Sequence, residues 1–119
     1  MPKIEIRFEP CTIVHVSGEN FPGQEAKDRY YLIISEYSRN PANETFMCLP
    51  ITSWEGDDPF MIKINAQDLE KGSFAKPSQV VCDNIFTFLK TDADSEKGKV
   101  TSLFYTKVTK LLKEKILKI

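Results

Sequence analysis

The sequence predicts a mainly β fold that ends in one α-helix. Short runs rich in β-branched and aromatic residues recur along residues 4–91, separated by clusters of Gly, Pro, Asn and Asp. Near the C-terminus the apolar residues change to the three- and four-residue spacing of an amphipathic helix. At 119 residues the chain is expected to form a single domain, residues 1–119.

The composition is that of an ordinary globular protein. Apolar residues make up 41% of the chain and charged residues 28%. No apolar run approaches the roughly 20 residues needed to span a bilayer. Residues 1–10 also lack the hydrophobic stretch of a secretion signal. We therefore expect a cytoplasmic protein.

The first strands lie in the N-terminal part of the chain. Residues 4–8 alternate apolar and charged side chains, which predicts a half-buried strand that ends at Pro10. Residues 12–17 predict a second strand of β-branched character. The polar residues 18–28 then predict a long loop, and long loops often carry function.

A central strand is predicted over residues 29–36, because positions 30–34 are continuously apolar and rich in β-forming residues. Residues 38–44 have the composition of a turn. Residues 45–51 then return as the next strand. The order of these elements is that of a meander.

The meander continues with a loop at residues 54–59 and a strand at 60–64. Asn65 is a suitable N-cap for a short turn of helix that Gly72 ends. Residues 79–91 are apolar enough for one long strand.

Asp83 and Asn84 lie within that long strand and are predicted to mark a bend. The polar stretch 92–99 follows, and the spacing of the apolar residues changes after it.

The C-terminal helix is predicted over residues 101–118. Its apolar side chains follow at helical spacing and define one face: Phe104, Val108, Leu111, Leu112, Ile116 and Ile119. Lysines occupy much of the opposite face, although Lys115 falls within the apolar stripe. We expect the helix to cover an open end of the sheet. The alternative is that its basic face contacts RNA or a partner. The last turn is expected to fray or to meet a partner.

The charge is unevenly distributed along the chain. Residues 1–60 carry ten acidic and five basic side chains, whereas residues 61–119 carry seven acidic and eleven basic ones, for a total of −1. The near-zero total argues against a protein that coats DNA, because nonspecific duplex binding requires a broad basic face. It permits a local phosphate site.

Several kinds of chemistry have no support in the sequence. The three cysteines are far apart and form no C-x-x-C pair, so we expect free thiols without a chemical role. There is no P-loop, no G-x-G-x-x-G, no H-E-x-x-H and no convincing cluster of metal ligands. We therefore expect no metal and no cofactor.

One set of polar residues suits phosphate chemistry. Arg29 begins the central apolar strand, and Thr52 and Ser53 end the next one. Arginine offers a fixed fork of donors to phosphate oxygens, and hydroxyl groups supply further hydrogen bonds. RNA can be cut without a metal when such donors stabilise the charge that develops as its 2′-hydroxyl attacks the neighbouring phosphorus.

The proton acceptor for such a reaction is left open by the sequence. Arginine has a pKa above about 12 and is a poor base. Glu25, Asp28 and His15 are the candidates.

Seven segments of the sequence follow one another in a defined order: Ile13-Val14-His15-Val16, Gly23-Gln24-Glu25, Arg29-Tyr30, Pro50-Ile51-Thr52-Ser53, Pro59-Phe60, Gln79-Val80 with Cys82-Asp83, and Lys97-Gly98-Lys99-Val100. Their order resembles that of the PemK/MazF family of toxin endoribonucleases. The resemblance runs from about Cys11 to the C-terminus and leaves residues 1–9 as an extension. Tyr30 departs from the family pattern, in which a proline usually follows the arginine.

This resemblance implies an SH3-like, CcdB/PemK-like antiparallel barrel with a C-terminal α-helix. It also implies a homodimeric toxin that cuts single-stranded RNA without metal and is blocked by a cognate antitoxin. By that likeness Arg29, Thr52 and Ser53 are the catalytic residues. Substrate-binding positions are implied at Gln24, Glu25, His15 and Gln79.

Two other functions remain open on the same scaffold. A CcdB-like protein poisons DNA gyrase through a protein contact and would depend on its C-terminal residues rather than on Arg29. A barrel that binds RNA or a protein partner without turnover is the second.

Overall fold

The computed structural model describes residues 6–16, 29–36 and 44–118, which form a mainly β fold with one C-terminal α-helix. The predicted fold class is therefore confirmed. The strands are β1 Thr12–Val16, β2 Arg29–Ile33, β3 Thr45–Thr52, β4 Met61–Ile64, β5 Leu69–Lys71, β6 Ser78–Val81, β7 Phe86–Leu89 and β8 Ala93–Val100, and the helix is α1 Ser102–Leu111.

All strand pairs in the described part of the chain are antiparallel and belong to one curled sheet. The strand order is β4-β6-β3-β2-β1-β8-β5. Strand β7 lies off this path and pairs with the first half of β3, while β6 pairs with the end of β3. Strand β3 is therefore long enough to pair with two neighbours along one edge.

The centre of the sheet is buried on both faces. Tyr31, Leu32 and Ile33 of β2 are all at most 2% exposed, as expected for a continuously apolar strand. One face of the sheet packs against α1, and its buried residues are Ile13, Leu32, Leu49, Ile51, Val80, Cys82, Val100, Phe104, Val108 and Leu112. The other face holds a second cluster, Val14, Val16, Tyr31, Ile33, Phe46, Cys48 and Phe88, with Ile6 and Phe8 packed against it.

The C-terminal helix begins at a side-chain cap. The Phe104 N–H donates to the Thr101 hydroxyl at 3.1 Å, which satisfies one of the backbone donors that a helix start leaves without a partner. Phe104, Val108 and Leu112 are buried against the sheet, as the predicted stripe requires. After Leu111 the backbone continues as a π-helical turn, Leu112–Ile116, and Lys115 is exposed.

The prediction of one long strand over residues 79–91 is wrong. The chain forms two strands there, β6 and β7, separated by a turn at Cys82 and Asp83. The break was predicted only as a bend at Asp83 and Asn84. It becomes complete because the two strands pair with different parts of β3, so the backbone leaves the ladder between them.

The sequence predicts no element over the polar residues 92–99, but the structure has a strand there. Strand β8 covers almost all of them and pairs with β1 on one side and β5 on the other. Its charged sequence has little β propensity, but pairing with two neighbours overrides that preference. The short strand β5, which follows the 3₁₀ turn Ala66–Asp68, was not predicted either.

Several predicted segments lie wholly or partly outside the described residues: the loop 18–28, most of the turn 38–44, and residues 1–5. Within the predicted first strand, residues 6–8 are not in strand conformation. Phe8 packs on Phe46 instead, with ring centroids 5.0 Å apart.

The three cysteines are free thiols, as expected. Burial raises the pKa of both Cys48 and Cys82 to about 12, so these side chains stay protonated near neutral pH. Cys11 is half-buried, and its pKa is also raised by burial. No helix in the described ranges is long and apolar enough to cross a membrane.

The helix cap gives a direct test of the C-terminal packing. We expect Thr101→Ala to lower the free energy of unfolding by about 1 kcal/mol, because the Phe104 N–H loses its acceptor. The measurement is urea unfolding followed by circular dichroism. Thr106→Ala is the matched control, because its exposed hydroxyl donates to the Ser102 carbonyl within the helix. Equal stability of the two variants would contradict the cap.

Candidate functional site

Antiparallel pairing places Arg29 and Thr52 at the same edge of the sheet. Tyr30 of β2 lies opposite Ile51 of β3. Arg29 precedes Tyr30 at the start of its strand, and Thr52 follows Ile51 at the end of its strand. The register therefore brings the two polar side chains to one end of the β2–β3 pair.

A cleft of about 420 Å³ opens at this end of the sheet. It is bounded by β2, β3, β8 and the segment that connects β5 to β6. Its lining residues are Arg29, Tyr30, Ile51, Thr52, Ser53, Phe74, Ala75, Lys76, Ser78 and Lys97. The three predicted catalytic residues thus line one cleft.

The cleft is locally positive although the chain carries a net charge of −1. Arg29, Lys76 and Lys97 line it, and no Asp or Glu from the described ranges does so. Arg29 is exposed and makes no ion pair with any other described residue. The site is therefore suited to an anion.

The Thr52 hydroxyl is held by the backbone that follows it. The Trp54 N–H donates to Thr52 Oγ1 at 3.1 Å. Because the oxygen serves as the acceptor in this bond, the O–H group can donate a hydrogen bond to a phosphate oxygen in the cleft.

One wall of the cleft is aromatic. The rings of Tyr30 and Phe74 meet edge to face with centroids 5.6 Å apart. The Lys97 Nζ atom lies 5.0 Å from the Tyr30 centroid and 5.5 Å from that of Phe74, within the range of cation–π contacts.

His15 lies behind this wall and does not itself line the cleft. Its Nδ1 atom is 2.6 Å from the Asp94 carboxylate, and its ring is 5.3 Å from that of Tyr30. Strand pairing explains the ring contact, since His15 is directly opposite Tyr30 across the β1–β2 ladder.

Gln79 is buried and its side chain contacts protein backbone. Its Nε2 atom donates to the carbonyl oxygens of Trp54 at 2.7 Å and Gly56 at 2.9 Å. Gln79 also pairs with Thr52 in the β3–β6 ladder. It therefore fixes the segment that follows Thr52 and Ser53 rather than lining the cleft beside Arg29.

Gln24 and Glu25 lie outside the described residues, as does Asp28. Several lining residues were not assigned to the site by sequence reasoning, among them Phe74, Lys76 and Lys97. Phe74 and Lys76 come from a connection whose composition gave no sign of a site. Lys97 falls in the polar stretch that was not predicted to be a strand. In the described part of the chain, no group of three or more His, Cys, Asp or Glu side chains could hold a metal ion.

The structure combines a curled antiparallel sheet, a C-terminal helix packed on one face of it, and a small positive cleft at the end of two central strands. Together these features define a class of protein. A family model described as PemK-like, MazF-like toxin of type II toxin-antitoxin system matches residues 9–116. The chain belongs to this family of type II toxins.

Solved structures agree with the family at the level of the fold. A MazE-MazF structure from Deinococcus radiodurans has a TM-score of 0.73 at 15% identity, covering 92% of this chain and 95% of that one. An endoribonuclease from Mycobacterial species in complex with its cognate antitoxin has a TM-score of 0.68 at 19% identity, covering 88% and 90%. No curated protein matches the sequence.

The role of Gln79 in the cleft edge can be tested by stability. We expect Gln79→Leu to lower the free energy of unfolding by about 1–3 kcal/mol, because two backbone carbonyls lose a buried donor. Urea unfolding followed by Trp54 fluorescence is suitable, since Trp54 is the only tryptophan of the chain.

The matched control for this test is Gln67→Leu, because Gln67 is exposed on the 3₁₀ turn. We expect it to change stability little. A Gln79→Leu variant as stable as that control would show that the amide does not hold the Trp54–Gly56 segment.

Proposed function

We propose that this toxin is a metal-independent endoribonuclease that cuts single-stranded RNA in the cleft at the end of β2 and β3. The observation that carries the proposal is the convergence of Arg29, Thr52 and Ser53 on one positive cleft. Similar solved structures include endoribonucleases from Mycobacterial species, which supports the proposal.

The chemistry follows from the donors that line the cleft. The 2′-oxygen of a ribose attacks the adjacent phosphorus, and the bond from that phosphorus to the 5′-oxygen of the next nucleotide breaks. The products are a 2′,3′-cyclic phosphate and a 5′-hydroxyl, with one proton leaving the 2′-oxygen and one joining the 5′-oxygen. Negative charge accumulates on the nonbridging oxygens in the transition state.

Arg29 and Thr52 stabilise that charge in this mechanism. The guanidinium donates charge-assisted hydrogen bonds to the nonbridging oxygens. The Thr52 hydroxyl donates a hydrogen bond to a nonbridging oxygen, because its own oxygen already accepts from the Trp54 N–H. Ser53 supplies a further hydroxyl at the cleft lining. Since arginine is a poor base, the contribution of Arg29 is electrostatic.

The partners of the toxin are part of the same proposal. The similar structures include toxins solved with their antitoxins. By that likeness we propose that a cognate antitoxin binds this chain and blocks it, and that the toxin acts as a homodimer. Its RNA substrate implies that it acts in the cytoplasm.

The test is cleavage of a long single-stranded RNA by the purified toxin in the presence of EDTA. We expect Arg29→Ala to reduce the rate by about 10²–10³-fold or more, the usual cost of removing a donor to developing charge. Thr52→Val should also slow cleavage while preserving the shape of the side chain. Lys107→Ala is the control, because Lys107 is exposed on the helix.

Full activity of Arg29→Ala would contradict the assignment of the site. Absence of cleavage by the unmodified toxin would contradict the proposed reaction. Folding of each variant is checked by circular dichroism, so that a loss of activity reports on the site.

A further inference from the structure

Strand β8 contains two irregularities in its pairing with β1, and each places a charged residue at the break. Ile13 pairs with Gly98 and Val14 with Glu96, so Lys97 is an extra residue between them. His15 pairs with Ser95 and Val16 with Ala93, which leaves Asp94 as the second extra residue.

Such bulges re-aim side chains and are common beside active sites. Here the Asp94 side chain contacts His15, and the Lys97 side chain contacts the aromatic wall of the cleft. The bulge therefore explains how a residue of β8 reaches the cleft at the end of β2 and β3.

The bulge at Lys97 is fixed by close packing of the next residue. A Cβ atom on Gly98 would lie 2.3 Å from the Lys71 carbonyl oxygen, so only glycine fits there. Gly72 has a positive φ of 83°, and a Cβ atom there would lie 2.5 Å from the Lys97 carbonyl oxygen. The position of Lys97 is thus set by the contact between β5 and β8.

The charge of Lys97 is not neutralised within the described part of the chain. Its ammonium contacts the rings of Tyr30 and Phe74, and no carboxylate from the described residues lies within ion-pair distance. Lys99, two residues later, does have carboxylate partners, because its Nζ atom lies 4.0 Å from Glu9 Oε1 and 3.9 Å from Glu70 Oε2. Of these two lysines, Lys97 is the one with charge available to an anion in the cleft.

We infer that Lys97 binds a second phosphate of the RNA strand, next to the phosphate held by Arg29 and Thr52. Tyr30 and Phe74 are positioning residues that hold the Lys97 ammonium at the cleft. This inference rests on the proposed function, because it requires an RNA strand in the cleft. Arg29 and Lys97 line the same cleft, whose volume of about 420 Å³ lies in the general range of small-molecule sites.

A phosphate contact has a signature that a packing role lacks. Each contact made to a single strand contributes about 0.7 to the slope of log binding constant against log salt concentration. A lysine that only packs on two rings contributes nothing to that slope.

The experiment measures binding of a mixed-sequence single-stranded RNA whose 2′-hydroxyls are replaced by fluorine, by fluorescence anisotropy over a series of salt concentrations. This strand lacks the attacking group and is not cut. We expect Lys97→Gln to reduce the salt slope by about 0.7. Lys107→Gln on the exposed face of the helix should leave the slope unchanged. An unchanged slope in folded Lys97→Gln would overturn the inference.

A second pair of variants tests the positioning residues. Phe74→Leu removes one ring face from Lys97 and should weaken binding by about two- to fivefold at low salt. Phe74→Tyr keeps a ring and should bind as the unmodified toxin does. Equal binding by both variants would overturn the positioning role.

The outcomes separate this inference from the proposed function. If Lys97→Gln lowers the salt slope of RNA binding but the toxin does not cleave ordinary RNA, the phosphate contact is supported and the proposed reaction is contradicted. Cleavage of ordinary RNA, together with a salt slope of binding that Lys97→Gln leaves unchanged, supports the reaction and overturns the phosphate contact of Lys97. Failure to bind the fluorinated strand while ordinary RNA is cut would also count against Lys97 as an anchor.

Discussion

The antiparallel pairing of β2 with β3 is the constraint on which the rest of the structure depends. Because Tyr30 lies opposite Ile51, the arginine that starts one strand and the threonine that ends the other must meet at one edge. The register is firmly fixed, since a slip by one residue would move each buried side chain of a strand covered on both faces to the opposite face. The apolar core therefore specifies the position of the polar residues at the cleft.

Strand β8 adds the charged side chain of Lys97 to the cleft at the end of β2 and β3. It joins β1 to β5 in the sheet, and its two bulges direct charged side chains towards the side of the sheet that carries the cleft. The resulting cleft concentrates positive charge in a chain whose total is −1. A small cluster of cations on a nearly neutral surface suits local recognition of a backbone phosphate more than nonspecific coating of nucleic acid.

Much of this organisation could be predicted from the sequence because the core strands have strong local patterns. The continuous apolar run of β2 and the stripe of α1 each indicate their element, and the resemblance to a family connects Arg29 with Thr52. Strand β8 and the cleft residue Phe74 could not be predicted in this way. Their positions arise from pairing and packing between segments distant in sequence, and neither the charged stretch nor the isolated aromatic residue carries a local signal.

The most direct test of the central claim is a crystal structure of the toxin with a single-stranded RNA analogue that lacks the attacking 2′-hydroxyl. We expect one phosphate within hydrogen-bond distance of both the Arg29 guanidinium and Thr52 Oγ1. A strand bound elsewhere on the protein, with neither side chain in contact with a phosphate, would contradict the assignment of this cleft as the site of cleavage.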